Sequence, residues 1–189
     1  MRRPMFHFCL SLVVSLLLWP ITSPAQEIIH AAIGTVTSID SAAKTITLLQ
    51  AGATRELFRT SSNGRGELDK RMSQDTQQAA NFQAKGAYVV VFYFGDEQNP
   101  TAIALRSLGK GPFVSTIGKV TNWDRHRQAI TVADSAGAIH QFRISPETIA
   151  ETDMGSVDGA RFQAQKGDQV RVVSETESDE STALFVESM

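Results

Sequence analysis

Ile33-Gly34-Thr35-Val36-Thr37-Ser38-Ile39-Asp40 is matched 84 positions later (117 − 33) by Ile117-Gly118-Lys119-Val120-Thr121-Asn122-Trp123-Asp124. The two stretches keep a glycine, a valine, a threonine and an aspartate in register. The same offset relates Ile46-Thr47 to Ile130-Thr131 and Phe58-Arg59 to Phe142-Arg143. Further along the offset is 81 (166 − 85): Lys85-Gly86 matches Lys166-Gly167, Val89 and Val91 match Val170 and Val172, and Thr101-Ala102 matches Thr182-Ala183. The first copy therefore carries a net three extra residues in between. Glycines, turn aspartates and alternating apolar positions recur. No set of catalytic groups does. The chain is a duplication of a fold.

Each copy reads as β. In the first, Ile28 to Ile39 is rich in Ile, Val and Thr, and Asp40 to Lys44 is a turn in which Asp bonds the backbone ahead of it. Thr45 to Leu49 alternates with the period of two that marks a half-buried strand. Ala51-Gly52-Ala53 turns the chain into a third strand, Arg55 to Thr60, with Leu57 or Phe58 inward. Ala87 to Phe94 and Thr101 to Leu108 are the fourth and fifth strands, joined by the loop Gly95 to Pro100. In the second copy the strands are Phe113 to Trp123, Ala129 to Ala133, Ile139 to Ser145, Asp168 to Ser174 and Thr182 to Val186, with Ser135-Ala136-Gly137 and the acidic run Glu175 to Glu180 as turns. Ser145-Pro146-Glu147-Thr148 carries a helix-start signal, proline following serine. In the first copy that slot is the longer, polar segment 62–84: a glycine-rich turn, Asn63-Gly64-Arg65-Gly66, then one or two helical turns.

Five short strands, with a helix or loop between the third and fourth, is the layout of a small OB-type barrel. Each strand offers only two or three inward apolar side chains, so the sheet covers itself best by closing and sharing one core. The expected class is all-β, two tandem five-stranded OB-like barrels with a short helical or loop segment between strands three and four. The first spans 26–108 and the second 113–189, with Gly109-Lys110-Gly111-Pro112 as linker. Val36, Ile46, Leu48, Val89 and Val91 are assigned to one core, and Val120, Ile130, Val132, Val170 and Val172 to the other.

Residues 1–25 read as a secretory signal peptide: Arg2 and Arg3, an apolar run from Phe6 to Trp19, and small residues at Ser23-Pro24-Ala25. The run is short for a membrane span of about 20 residues. Cleavage after Ala25 removes Cys9, the only cysteine, so the exported chain has neither disulfide nor thiol chemistry. It keeps 164 residues (189 − 25) and a net charge of −4, since 18 basic residues less Arg2 and Arg3 leave 16 against 20 acidic. A mildly acidic chain repels phosphate backbones, which argues against general nucleic-acid binding. No later stretch is apolar for long enough to cross a membrane.

The pattern Gly34-x-Val36-x-x-Ile39-Asp40, Thr45-Ile46-Thr47-Leu48, Lys85-Gly86 and Thr101-Ala102, repeated as Gly118-x-Val120, Asp124, Ala129-Ile130-Thr131-Val132 and Lys166-Gly167-Asp168-x-Val170-x-Val172, resembles small exported bacterial barrel domains of unknown function. More distantly it is similar to the periplasmic copper chaperones of the small-barrel type. The resemblance implies a fold and a periplasmic or secreted location. The copper-chaperone resemblance would further require His and Met on adjacent strands with a Trp covering the metal.

The chain offers three kinds of candidate site. The soft and imidazole ligand types for copper are His30, His126, His140, Met72 and Met154, with Trp123. They are scattered over loops and strands, and Trp123 takes the slot of Ile39 in the other copy, an apolar packing position; no bound metal or other cofactor is expected. For catalysis there is no Ser-His-Asp order, nucleophile elbow or surviving cysteine, and Asn63-Gly64-Arg65-Gly66 lacks the Lys-Ser/Thr of a phosphate loop. Asp40 and Asp124 are read as turn formers. The third kind is a face. Tyr88, Val90, Phe92 and Phe94 alternate on one side of the fourth strand, while Val89 and Val91 take the core side. The equivalent strand 168–174 alternates and is expected to be wet on one face. A strand apolar on both faces is covered on both. The cover is the 62–84 segment or the second barrel, or else a protein partner, a second copy or a ligand. The expected function is a non-enzymatic exported binding or interaction module, with periplasmic copper binding as the alternative.

Overall fold

The computed structural model describes residues 27–72, 75–96, 98–177 and 180–189; the predicted signal peptide, with Cys9, lies outside them. The first copy contains β1 (His30–Asp40), β2 (Thr45–Leu49), β3 (Arg55–Thr60), α1 (Arg65–Arg71), β4 (Gln77–Gln78), β5 (Tyr88–Phe94) and β6 (Thr101–Ser107). The second contains β7 (Val114–Asp124), β8 (Ala129–Asp134), β9 (Ile139–Thr152), β10 (Gly155–Asp158), β11 (Gln169–Glu177) and β12 (Glu180–Ser188).

Both copies close. In the first, β1 pairs with β2 and β5, β2 with β3, β5 with β6, and β3 meets β6 in parallel to complete the ring. In the second, β7-β8-β9-β12-β11-β7 forms the same ring, again closed by one parallel pair, β9 with β12. Closure depends on the long first strand serving two neighbours. β1 pairs with β5 over His30–Thr35 and with β2 over Thr35–Asp40, bending at an irregularity between Val36 and Ser38. β7 bends at the corresponding place, between Val120 and Asn122.

The repeat holds at the level of single bonds. Val36 N–H donates to Ala87 O and Gly86 N–H to Val36 O; Val120 N–H donates to Asp168 O and Gly167 N–H to Val120 O. Thr37 Oγ1 donates to Thr47 O at 3.2 Å, and Thr121 Oγ1 to Thr131 O at 3.2 Å. Gly34 and Gly118 sit at the bend for a steric reason. A Cβ on Gly34 would lie 2.4 Å from Leu49 O, and one on Gly118 would lie 2.1 Å from Ala133 O. Both obstacles are backbone, so neither can give way as a side chain would.

All ten assigned core residues are buried, and they partition into two clusters as expected. Val36, Ile46, Leu48, Val89 and Val91 pack with Phe58 in one; Val120, Ile130, Val132, Val170 and Val172 pack with Phe142 in the other. Each such side chain taken out of water contributes about 1.5–3 kcal/mol. Of the pair considered for β3, Phe58 is the inward residue and Leu57 is exposed.

Four local expectations are corrected. No helix starts at Ser145; β9 runs on to Thr152. Between Ile144 and Ile149 it advances five residues while β12 advances two, from Ala183 to Phe185. The extra residues form a bulge whose polar groups are met locally: Thr148 Oγ1 accepts from Ser145 N–H and donates to Ala183 O. Pairing with β12 thus outweighs the local helix signal, and Pro146, exposed in the bulge, costs no ladder bond. Second, the acidic turn is tighter than 175–180: β11 continues to Glu177 and β12 begins at Glu180, the two facing each other. Third, the outer face of β11 is not wet, because Arg171 and Val173 are both buried. Fourth, each barrel carries an extra short strand, β4 on β6 and β10 on β9.

Candidate functional site

The face of Tyr88, Val90, Phe92 and Phe94 is covered from within the chain. Val90 and Phe92 are fully buried in a third cluster, with Tyr88 and Phe94 packed against its edge. Leu68 and Met72 reach it from α1 and the residue that caps it. Ile149, Val173 and Phe185 reach it from the second barrel. Tyr88 also stacks on Phe113, ring centroids 5.0 Å apart. Burial pushes the Tyr88 hydroxyl pKa up, with nearby Arg171 opposing the shift. Both intramolecular covers named from sequence are therefore used at once. Val90 and Phe92 are not left open to a partner.

At one end of this seam a carboxylate joins the barrels. Glu151, on β9, accepts from His30 Nδ1 at 2.7 Å through Oε1, and from Ala31 N–H at 2.7 Å and Ser156 Oγ at 2.6 Å through Oε2. Ser156 N–H in turn donates to Ile29 O at 2.7 Å. Desolvation raises the Glu151 pKa, against the lowering effect of these same donors. Serine, histidine and glutamate are all present, but the carboxylate stands between the other two. Neither hydrogen bond pairs Ser156 with the imidazole, as a nucleophile and its base would be paired. Arg106 adds a second polar tie, donating through Nη1 to Glu147 O at 2.5 Å.

The copper-type ligands are not gathered. His30 is held by Glu151, and Met72 is buried in the seam cluster. Met154 is 85% exposed and His126 lies exposed in a turn. His140 Nε2 lies 2.8 Å from Asp134 Oδ2, and this bond is the main reason the Asp134 pKa is lowered. Among the described residues no group of three or more His, Cys, Asp or Glu side chains is placed to hold a metal ion. Asp40 and Asp124 form the turns read from sequence. Asp40 Oδ1 accepts from Ala42 and Ala43 N–H, and Asp124 Oδ1 from His126 and Arg127 N–H. The Arg127 bond leads the causes that lower the Asp124 pKa.

The two barrels differ at one end, beside these turns. The backbone there is the same in both. Lys44 and Gln128 take left-handed φ of 53° and 51°, and Thr60 N–H donates to Lys44 O as Ile144 N–H donates to Gln128 O. The side chains differ. In the second barrel Trp123 meets Phe162 edge-on, ring centroids 5.6 Å apart, and packs against the cluster that holds Ile144; Ala129 is buried as well. In the first barrel the equivalent positions are Ile39, Thr45 and Thr60. Together with Ile46 and Phe82 they line a cleft of about 300 Å³. Sequence reading did not single out Thr45, Thr60, Phe82 or Glu151. A signal existed for Phe82: Phe82-Gln83-Ala84 recurs as Phe162-Gln163-Ala164 at an offset of 80.

No family model matches the chain, and no curated protein matches it. Solved structures of CusF do. Silver-bound CusF is 17% identical and covers 42% of this chain and 100% of its own, with a TM-score of 0.33. Apo-CusF from Escherichia coli is 18% identical, covering 44% of this chain and 95% of its own, with a TM-score of 0.33. A second silver complex, from Escherichia coli, is 17% identical, covering 43% and 96%, with a TM-score of 0.33.

Proposed function

We propose that this chain is an exported, non-enzymatic binding module in which a duplicated small barrel serves as scaffold. One observation carries this reading. Two barrels with the same backbone end differently, the second with Trp123 packed on Phe162 and the first with Ile39, Thr45 and Thr60 lining a cleft. The interiors are filled by Phe58 and Phe142 and their neighbours, so a ligand is met at the barrel end and not inside. The non-enzymatic part is supported by the His30-Glu151-Ser156 order, which ties two barrels together and aligns no nucleophile with a base.

A screen of small neutral fragments by amide chemical shift tests this. Perturbations should cluster on Thr45, Thr60 and Ser61, with none around Trp123. Fragments that spread evenly over the surface, or that bind nowhere, contradict the reading. Export is tested separately: N-terminal sequencing of protein recovered from the native host should find a start near Gln26, and a chain still beginning at Met1 would refute it.

Copper binding is the second reading. The partly exposed pair of His140 and Asp134 is the observation that favours it, an imidazole and a carboxylate 2.8 Å apart at the surface.

A further inference from the structure

We propose that the cleft at the end of the first barrel takes a small neutral ligand rich in hydroxyl groups, a monosaccharide or cyclic polyol. This rests on the reading of the chain as a binding module. Duplication supplies an internal control, because each position in the cleft has a counterpart in the other barrel. Thr45 stands where the second barrel has Ala129, and Thr60 where it has Ile144. Both counterparts are buried apolar residues, 8% and 1% exposed, so nothing in the fold requires a hydroxyl at either place. The hydroxyls of Thr45 and Thr60 are only partly buried and bond to no described protein group. Two polar groups thus stand where the other copy has buried apolar ones, and both line the cleft.

The chemistry of the walls narrows the ligand. A threonine hydroxyl both donates and accepts, which matches a partner hydroxyl and discriminates little between fixed donors and fixed acceptors. Ile46 and Phe82 give an apolar floor for the C–H face of a saturated ring. Lys44 and Asp40 stand together at the rim with opposite charges, and Asp40 already accepts two backbone N–H bonds. That balance offers no net attraction to a charged ligand. A volume of about 300 Å³ is at the low end for small-molecule sites and suits one ring.

The test is titration of the full exported chain with D-glucose, N-acetylglucosamine and myo-inositol, followed by the amide shifts of Thr45, Thr60 and Ser61. At least one should give saturable shifts there. Thr60→Val, which removes only the hydroxyl, should weaken that binding roughly tenfold, the equivalent of one good hydrogen bond. Ile39→Trp should abolish it, since Ile39 lines the cleft and the larger side chain of its counterpart Trp123 would crowd it. Binding unchanged in Thr60→Val overturns the proposal. So does an absence of polyol shifts when neutral aromatic fragments still perturb these amides, a result that leaves the binding-module reading intact. If neither kind of molecule perturbs them, both readings fail.

Discussion

Trp123 packs edge-on against Phe162, the ring planes at 72°, at the position where the first barrel has Ile39 lining a cleft. The indole Nε1 is buried there with no hydrogen-bond partner among the described residues. Such a group is tolerated only where the ring's apolar contacts outweigh its desolvation. Replacing Trp123 with Ile should therefore destabilise the second barrel by roughly 2–3 kcal/mol through the cavity it leaves. Ile39→Ala, at a half-exposed position beside an existing cleft, should cost about 1 kcal/mol. Urea unfolding of the two variants checks the difference; equal losses would mean that Trp123 contributes no more packing than Ile39.

Phe92 lies in the seam among residues of α1, β9, β11 and β12. Phe92→Ser removes a fully buried ring and leaves a hydroxyl in its place, so it should cost about 3–5 kcal/mol. The melting temperature should fall and the oligomeric state should not change. A variant that keeps its melting temperature but loses self-association in sedimentation would show that the face serves a second copy.

Glu151 makes the seam sensitive to pH, in a direction set by its raised pKa. The folded value lies above the ordinary 4.5, so the folded chain holds the proton more tightly than the unfolded one. The linked stability is fully present below about pH 4.5 and is lost as pH rises through the folded value. Glu151→Gln removes this dependence and keeps the side chain's shape. The stability of Glu151→Gln relative to the parent should therefore be greatest near neutral pH and should shrink on acidification. A relative stability that instead grows on acidification would show that the carboxylate's bonds from Ser156, His30 and Ala31 outweigh its burial.

For metals, calorimetric titration with Cu(I) or Zn(II) should show no sub-micromolar one-to-one site, because the His and Met side chains are dispersed or already engaged. A tight stoichiometric site that is lost in His140→Ala would establish the copper-handling alternative.

Fold was legible in the sequence because period-two alternation and the recurring glycines report on backbone needs that do not depend on partners. Gly34 and Gly118 are the clearest case, each facing a carbonyl that excludes a Cβ. The bulge in β9 was not legible. Ser145-Pro146 is a sound local helix signal, and only pairing with β12 overrules it. The doubly apolar β5 announced that it was covered, but not that α1 and the second barrel share the task. Arg171 and Val173 hid the other half of that seam behind an ordinary alternation. The cleft was written in three exchanges between the copies, Ile39 for Trp123, Thr45 for Ala129 and Thr60 for Ile144. Their common location appears only once the barrels close.

The most direct measurement is solvent mapping by nuclear Overhauser contacts between the full exported chain and a small probe such as dimethyl sulfoxide. The cleft at the end of the first barrel predicts contacts from the probe to Thr45 and Thr60, which are partly exposed, and none to Ile144, the buried counterpart of Thr60. Contacts of equal strength at Thr60 and Ile144, or none at Thr45 and Thr60, would contradict the account.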